Sequence, residues 1–156
     1  MVDKYKIYCD MDGVLTDFDS AYYELTGIDL AGRHLNDSNF WEPIDRAGVK
    51  FWSDMEWKSD GKEMWSYIEK YKPELLSAPS RQNSSRVGKH EWVDNHLPGV
   101  TLLLRSAKHK KDFAQPNHIL IDDREDNING WVENGGVGIL HTSTNNTIEK
   151  LKELGL

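Results

Sequence analysis

The stretch Lys6 to Phe18, KIYCDMDGVLTDF, decides how the rest of the chain is read. Ile7, Tyr8 and Cys9 form a short apolar run that predicts a buried strand. The run ends on two aspartates spaced two apart, Asp10 and Asp12, followed by Gly13. In extended backbone, side chains two apart leave the same side of the strand. Both carboxylates are therefore expected to leave its carboxyl end toward one point, with Gly13 allowing a sharp turn behind them. Burying such a pair is costly unless a cation or a proton shares the site. A second apolar run, HILIDD, also ends on paired acids, Asp122 and Asp123. Two strands ending this way predict that Asp10, Asp12, Asp122 and Asp123 converge on one divalent cation.

DMDGVLTDF resembles the first signature of the haloacid-dehalogenase-like (HAD) phosphohydrolases, DxDGVxxDF, and ILIDD resembles their fourth. The resemblance implies that Asp10 is a nucleophile forming an aspartyl-phosphate, and that Asp12 is the acid and base for the leaving alcohol and the attacking water. It also implies coordination by Asp10, the backbone carbonyl of Asp12 and the Asp122/Asp123 pair, without saying which of those two binds directly. The physical need is plain. A carboxylate and a phosphate about 4 Å apart repel by roughly 4 kcal/mol at an effective dielectric of 20. Mg²⁺ reverses that sign and suits aspartate and phosphate oxygens.

Charge developing on the phosphoryl oxygens needs donors. Ser77, in LLSAPS, resembles the family's second motif, a hydroxyl after an apolar strand. For the third motif, a lysine, RSAKHKKDFA offers Lys108, Lys110 and Lys111. Lys110 fits best by its spacing to Phe113-Ala114 and ILIDD. Within the superfamily the chain is most similar to the 5′(3′)-deoxyribonucleotidase group. That similarity rests on SAPSR, against their TSPxK, on GKHEWVDNHLPG, against EKxxWVxxxLG, and on Arg105 where they carry a basic residue. Ala78 stands where they have a second hydroxyl.

The remaining strands are expected at Glu74–Ala78, Val100–Leu104, His118–Ile121 and Val137–Leu140. Helices are expected at Asp17–Gly27, Val87–Leu97, Arg124–Glu133 and Thr144–Leu154, with a basic turn and short helix over Arg105–Phe113. The alternation predicts an α/β fold, a doubly wound parallel five-stranded sheet with its site at the strands' carboxyl ends. Residues 1–156 read as a single HAD-like domain. Residues 28–72 are more than a parallel crossover needs. They carry Trp41, Trp52, Trp57 and Trp65, four of the six tryptophans, with short helices near Trp41–Ala47 and Gly61–Tyr71, the latter with Asp60 and Glu63 at capping-box spacing. We read them as a small helical cap. Its Phe51, Trp52 and Trp57 either form the cap's own core or stack on a nucleobase. Arg81 and Lys89 either approach a phosphate or are surface charges, and Arg105 is placed better, at a strand's end.

Twenty-six Asp and Glu against nineteen Lys and Arg give a net charge of −7, which argues against gripping nucleic acid by bulk charge. A small anionic substrate remains compatible with local cations. The one cysteine, Cys9, excludes an internal disulfide and reads as a small buried hydrophobe. MVDKYKIYCD has no long apolar stretch, so no signal peptide or membrane span is expected, and a cytoplasmic location is the default. The leading expectation is a Mg²⁺-dependent phosphomonoesterase acting on a nucleotide, with no stable nucleic-acid complex. The rivals are a phosphatase of nucleic-acid ends and a metal-binding interaction module that turns nothing over.

Overall fold

The computed structural model of the chain describes residues 4–31 and 38–156. Most of the turn-rich piece AGRHLNDSN lies outside them, as do the first three residues. Five strands form one sheet: β1 (Lys6–Cys9), β2 (Glu74–Ser77), β3 (Leu102–Leu104), β4 (His118–Asp122) and β5 (Val137–Leu140). Their order is β3-β2-β1-β4-β5, and every pairing is parallel. β1 is central, and its Ile7, Tyr8 and Cys9 pair with Ile119, Leu120 and Ile121 of β4.

Side chains alternate between the two faces, and both faces are covered, as a parallel sheet requires. Ile7, Cys9, Leu75, Ile119 and Ile121 pack with Met64, Trp92 and Leu151. Tyr8, Leu76 and Leu120 pack on the opposite side with Ile128 and Trp131. Those partners come from α4 (Gly61–Ile68), α5 (Asn83–His96) and α7 (Thr144–Glu153) on one face, and from α6 (Glu125–Glu133) on the other. Helix α1 (Phe18–Thr26) follows β1, with the Asp17 side chain accepting from Ser20 N and Gly27 ending it in the left-handed region. The fold class is the one expected.

Between α1 and β2 the chain forms α2 (Ser38–Ala47), α3 (Val49–Ser53) and α4, then a 3-10 turn, Glu69–Tyr71. Helix α3 and the start of α5 at Asn83 were not foreseen, because VKFWS is a single turn without a side-chain cap. The capping-box expectation for α4 is corrected. Asp60 makes no side-chain cap to its own helix. Its carboxylate accepts from Thr144 N, and its carbonyl accepts from Thr144 Oγ1, both at 2.9 Å. The otherwise unpaired first-turn N–H of the buried Thr144 in α7 outcompetes the local donor, so the acid staples α4 to the core.

The insertion is docked on the loop that follows β1 and on α5. Thr16 and Trp57 form an antiparallel bridge, and Lys58 N donates to Leu15 O at 2.7 Å. Trp92 Nε1 donates to Met55 O at 2.8 Å. Helices α3 and α5 touch where Gly88 has no side chain: a Cβ there would lie 2.5 Å from Trp52 Cβ and 2.7 Å from Val49 O. Gly88→Ala is therefore expected to cost about 1–3 kcal/mol by overpacking and to lower the melting temperature by several degrees. Thermal unfolding checks it, and an unchanged transition would mean that α3 yields freely.

Candidate active site

β1 and β4 deliver their acids to the same place, as the pairing register dictates. Asp10 N donates to Ile121 O at 2.9 Å, extending the ladder to the edge of the site. The chain then turns tightly: Val14, Leu15 and Thr16 all donate to Met11 O, and Gly13 adopts φ 88°. That value favours glycine, and a Cβ would also lie 1.9 Å from Asp123 Oδ2. Gly13 thus permits both the turn and the approach of the fourth acid.

Carboxylate oxygens of Asp10, Asp122 and Asp123 lie within 4.8 Å of one another. Asp12 is not part of that trio. Its Oδ1 accepts from Thr16 Oγ1 at 2.9 Å and its Oδ2 from Lys89 Nζ at 2.8 Å. Lys110 Nζ lies between Asp10 Oδ1 and Asp122 Oδ2, 2.9 Å from each, and is 2% exposed. Of the three lysines left open by the sequence, only this one points inward. Ala107–Phe113 is a 3-10 turn with three residues per turn, so Ala107, Lys110 and Phe113 share its covered face, while Lys108 and Lys111 are exposed.

The electrostatics follow from crowding. Burial first, and then the neighbouring Asp122, push Asp10 well above the ordinary carboxylate range, with Lys110 pulling the other way. Asp123 is pushed up to about 7 by burial, then by Asp122 and Asp12, while a hydrogen bond with Asp10 offsets part of the rise. Asp122 is the best satisfied of the trio. It accepts from Lys110, from Arg124 N at 2.9 Å and from Asn127 Nδ2 at 3.1 Å. Asp123 has no basic partner among the described residues. An all-oxygen donor set with more acid than nearby base fits a hard divalent cation such as Mg²⁺.

Those shifts carry a sign. A carboxylate raised in the fold favours the folded state fully below its unfolded value near 4, and that contribution is lost as pH rises through about 7. A divalent cation replaces the proton, so Mg²⁺ is expected to raise the melting temperature more at pH 8 than at pH 5. His141, held down to about 4 by burial, works oppositely, losing stability as pH falls below 6.5. It contributes equally with and without metal, so the Mg²⁺ increment isolates the acids. Thermal unfolding in Mg²⁺ and in chelator checks this. An increment equal at both pH values would contradict it.

Ser77, at the end of β2, is 1% exposed and accepts from Lys89 Nζ at 2.9 Å. Lys89 is 1% exposed, so it is no surface charge, and the sequence reading left it undecided. A signal was present: Lys89 precedes Trp92 by three and Val93 by four, the spacing of one buried helix face. Thr16 and Asn127 were missed outright, because nothing local marks a threonine or an asparagine as an acid's partner.

The residues expected on the substrate side are spread more widely. Arg81 is exposed in the β2–α5 loop. Arg105 is exposed at the end of β3, donates to Leu104 O and lies 5.5 Å from the Phe113 ring centre. Phe51 packs edge-on against Trp52 and Phe18 and lines a recess of about 300 Å³ with Asp17, Lys50 and Glu56. Trp52 is buried with the Lys89 ammonium 4.9 Å from its ring centre. Trp57 packs against Trp92 and His96. Among the described residues, no helix is long and apolar enough to cross a membrane.

Solved structures share the fold. A hydrolase from Streptococcus pneumoniae TIGR4 aligns with a TM-score of 0.56 at 15% identity, over 96% of this chain and 99% of its own. A predicted phosphatase from Clostridium acetobutylicum gives 0.58 at 15%, over 97% and 99%. The HAD-hydrolase YfnB from Bacillus subtilis, solved bound to magnesium, gives 0.54 at 12%, over 86% and 85%. No curated protein sequence matches the chain. The family described as 5′ nucleotidase, deoxy (pyrimidine), cytosolic type C protein matches residues 47–153. That match covers α3, both lysines, Ser77 and the second acidic pair, and the chain belongs to this NT5C family of HAD-fold phosphatases.

Proposed function

We propose that the protein is a cytoplasmic, Mg²⁺-dependent phosphomonoesterase that hydrolyses 5′-nucleotides, deoxynucleotides foremost, through an aspartyl-phosphate on Asp10. The observation that carries the reading is the position of the Asp10 carboxylate, gathered with Asp122 and Asp123 and bonded by Lys110, while Asp12 two residues on belongs to a separate cluster with Lys89 and Ser77. The family description supports the substrate class.

Asp10 and Asp123, with the Asp12 carbonyl, would hold the cation, and Asp122 would orient Lys110 and the start of α6. When bound, the cation supplies the positive charge that lets a carboxylate approach a phosphate. Asp10 then attacks phosphorus, and the bond to the leaving oxygen breaks as Asp12 gives that oxygen its proton. Asp12 takes a proton from water in the second step. The water oxygen bonds phosphorus, the bond to Asp10 breaks, and inorganic phosphate leaves. Ser77, Lys89 and Lys110 serve the phosphoryl oxygens as donors. Residues 28–72 act as a small cap, with Phe51 its candidate base contact and Arg81 and Arg105 the candidate basic contacts.

The test is a panel of 5′- and 3′-mononucleotides, p-nitrophenyl phosphate and 3′-phosphorylated oligonucleotides, each with Mg²⁺ and with chelator. The expected result is Mg²⁺-dependent release of phosphate, fastest from 5′-deoxynucleotides. Faster turnover of oligonucleotide ends would move the substrate class to nucleic-acid termini, and no turnover anywhere would remove the enzyme reading.

A further inference from the structure

Lys89 is a second buried lysine at the site, and one of its neighbours belongs to the insertion. Its Nζ donates to Asp12 Oδ2 and Ser77 Oγ and lies 4.9 Å from the centre of the Trp52 ring. Trp52 reaches it because the adjacent residue, Gly88, leaves room for the Trp52 Cβ. The tryptophan is 4% exposed, so little of its ring is left open to a base. Its indole N–H has no partner among the described residues, so no hydrogen bond fixes the ring's orientation. What the ring contributes is its π face, turned to a desolvated ammonium, where a cation–π contact is strongest.

We propose that Trp52 is a positioning residue for phosphoryl transfer: its π face backs the Lys89 ammonium and holds it between Asp12 and Ser77, against the phosphoryl oxygens. This rests on the phosphatase reading above and assigns the insertion a part in the chemical step. An ammonium on a flexible four-carbon stem needs such backing, because its charge has no preferred direction of its own. With the ring in place, Lys89 is held for every phosphomonoester, whatever its leaving group.

The experiment is a double-mutant cycle of Trp52→Leu and Lys89→Met, with Trp52→Phe as the conservative variant. kcat and KM are measured for p-nitrophenyl phosphate and a deoxynucleoside 5′-monophosphate, and the affinity for inorganic phosphate with Mg²⁺ by calorimetry. Trp52→Leu is expected to lower kcat about tenfold on both substrates without changing the ratio of their KM values. Trp52→Phe, which keeps a π face, should retain most of the activity. In the Lys89→Met background, Trp52→Leu should add less than about a twofold loss. The full loss recurring in that background would overturn the proposal, and so would a KM increase confined to the nucleotide. If the wild-type protein hydrolyses no phosphomonoester, the phosphatase reading fails. The phosphate-affinity cycle then decides the Trp52–Lys89 coupling alone: non-additive losses support it and additive ones sink it.

Discussion

Asp10→Asn is expected to lower kcat for every phosphomonoester by about four orders of magnitude, because a carboxamide of the same size cannot form the acyl phosphate. The same substitution should leave the metal-free fold as stable as before, or more so. Asp10 is 6% exposed and its charge is disfavoured by burial and by Asp122, so removing that charge relieves a cost. Activity and stability thus move apart at one residue, which a merely structural aspartate would not produce. Phosphate-release assays and thermal unfolding on one preparation check both halves. Wild-type turnover in the variant would remove the nucleophile assignment.

Lys110→Met should have the largest effect on stability. The lysine is 2% exposed and bonds two buried acids, which hold its ammonium well above the usual lysine range despite its own desolvation. Deleting one partner of such a group leaves buried charge uncompensated, at about 3–5 kcal/mol. For a chain of this size that corresponds to roughly 10 °C in melting temperature. Mg²⁺ brings positive charge to the same carboxylates, so saturating Mg²⁺ should restore a good part of the loss. Activity should not return, because a cation held by the acids does not replace the donor that Lys110 would offer the phosphoryl group in the proposed reaction. A variant as stable as the wild type in chelator would show that the three acids share protons well enough without the lysine.

The sheet was legible in the sequence because each strand is an apolar run, the central three largely buried on both faces, and ILIDD and IYCD carry their acids at the same register. Spacing singled out Lys110 among three lysines, and the period of a 3-10 turn explains why it and not its neighbours faces inward. Lys89 was not, since its contact with Asp12 spans 77 positions and depends on how α5 is rotated. That rotation is set by Trp92, Val93 and the missing side chain of Gly88, which the sequence shows only as letters. The convergence of four carboxylates came out as three plus one. A strand's alternation says which side Asp12 leaves from, but the turn behind Gly13 brings Thr16 and Lys89 to claim it. Asp60 illustrates the same point in reverse, a local capping pattern overridden by Thr144 from 84 positions away. Short-range chemistry was readable wherever no distant partner competed for the same group.

The most direct measurement is a crystal structure of the protein with Mn²⁺ in place of Mg²⁺ and with beryllofluoride, located by the manganese anomalous signal. The expected result is a single manganese between Asp10, the Asp12 carbonyl and Asp123, with beryllium bonded to Asp10 and its fluorides against Lys110, Lys89 and Ser77. Manganese bound elsewhere, or beryllofluoride on any oxygen but that of Asp10, would contradict the proposed chemistry.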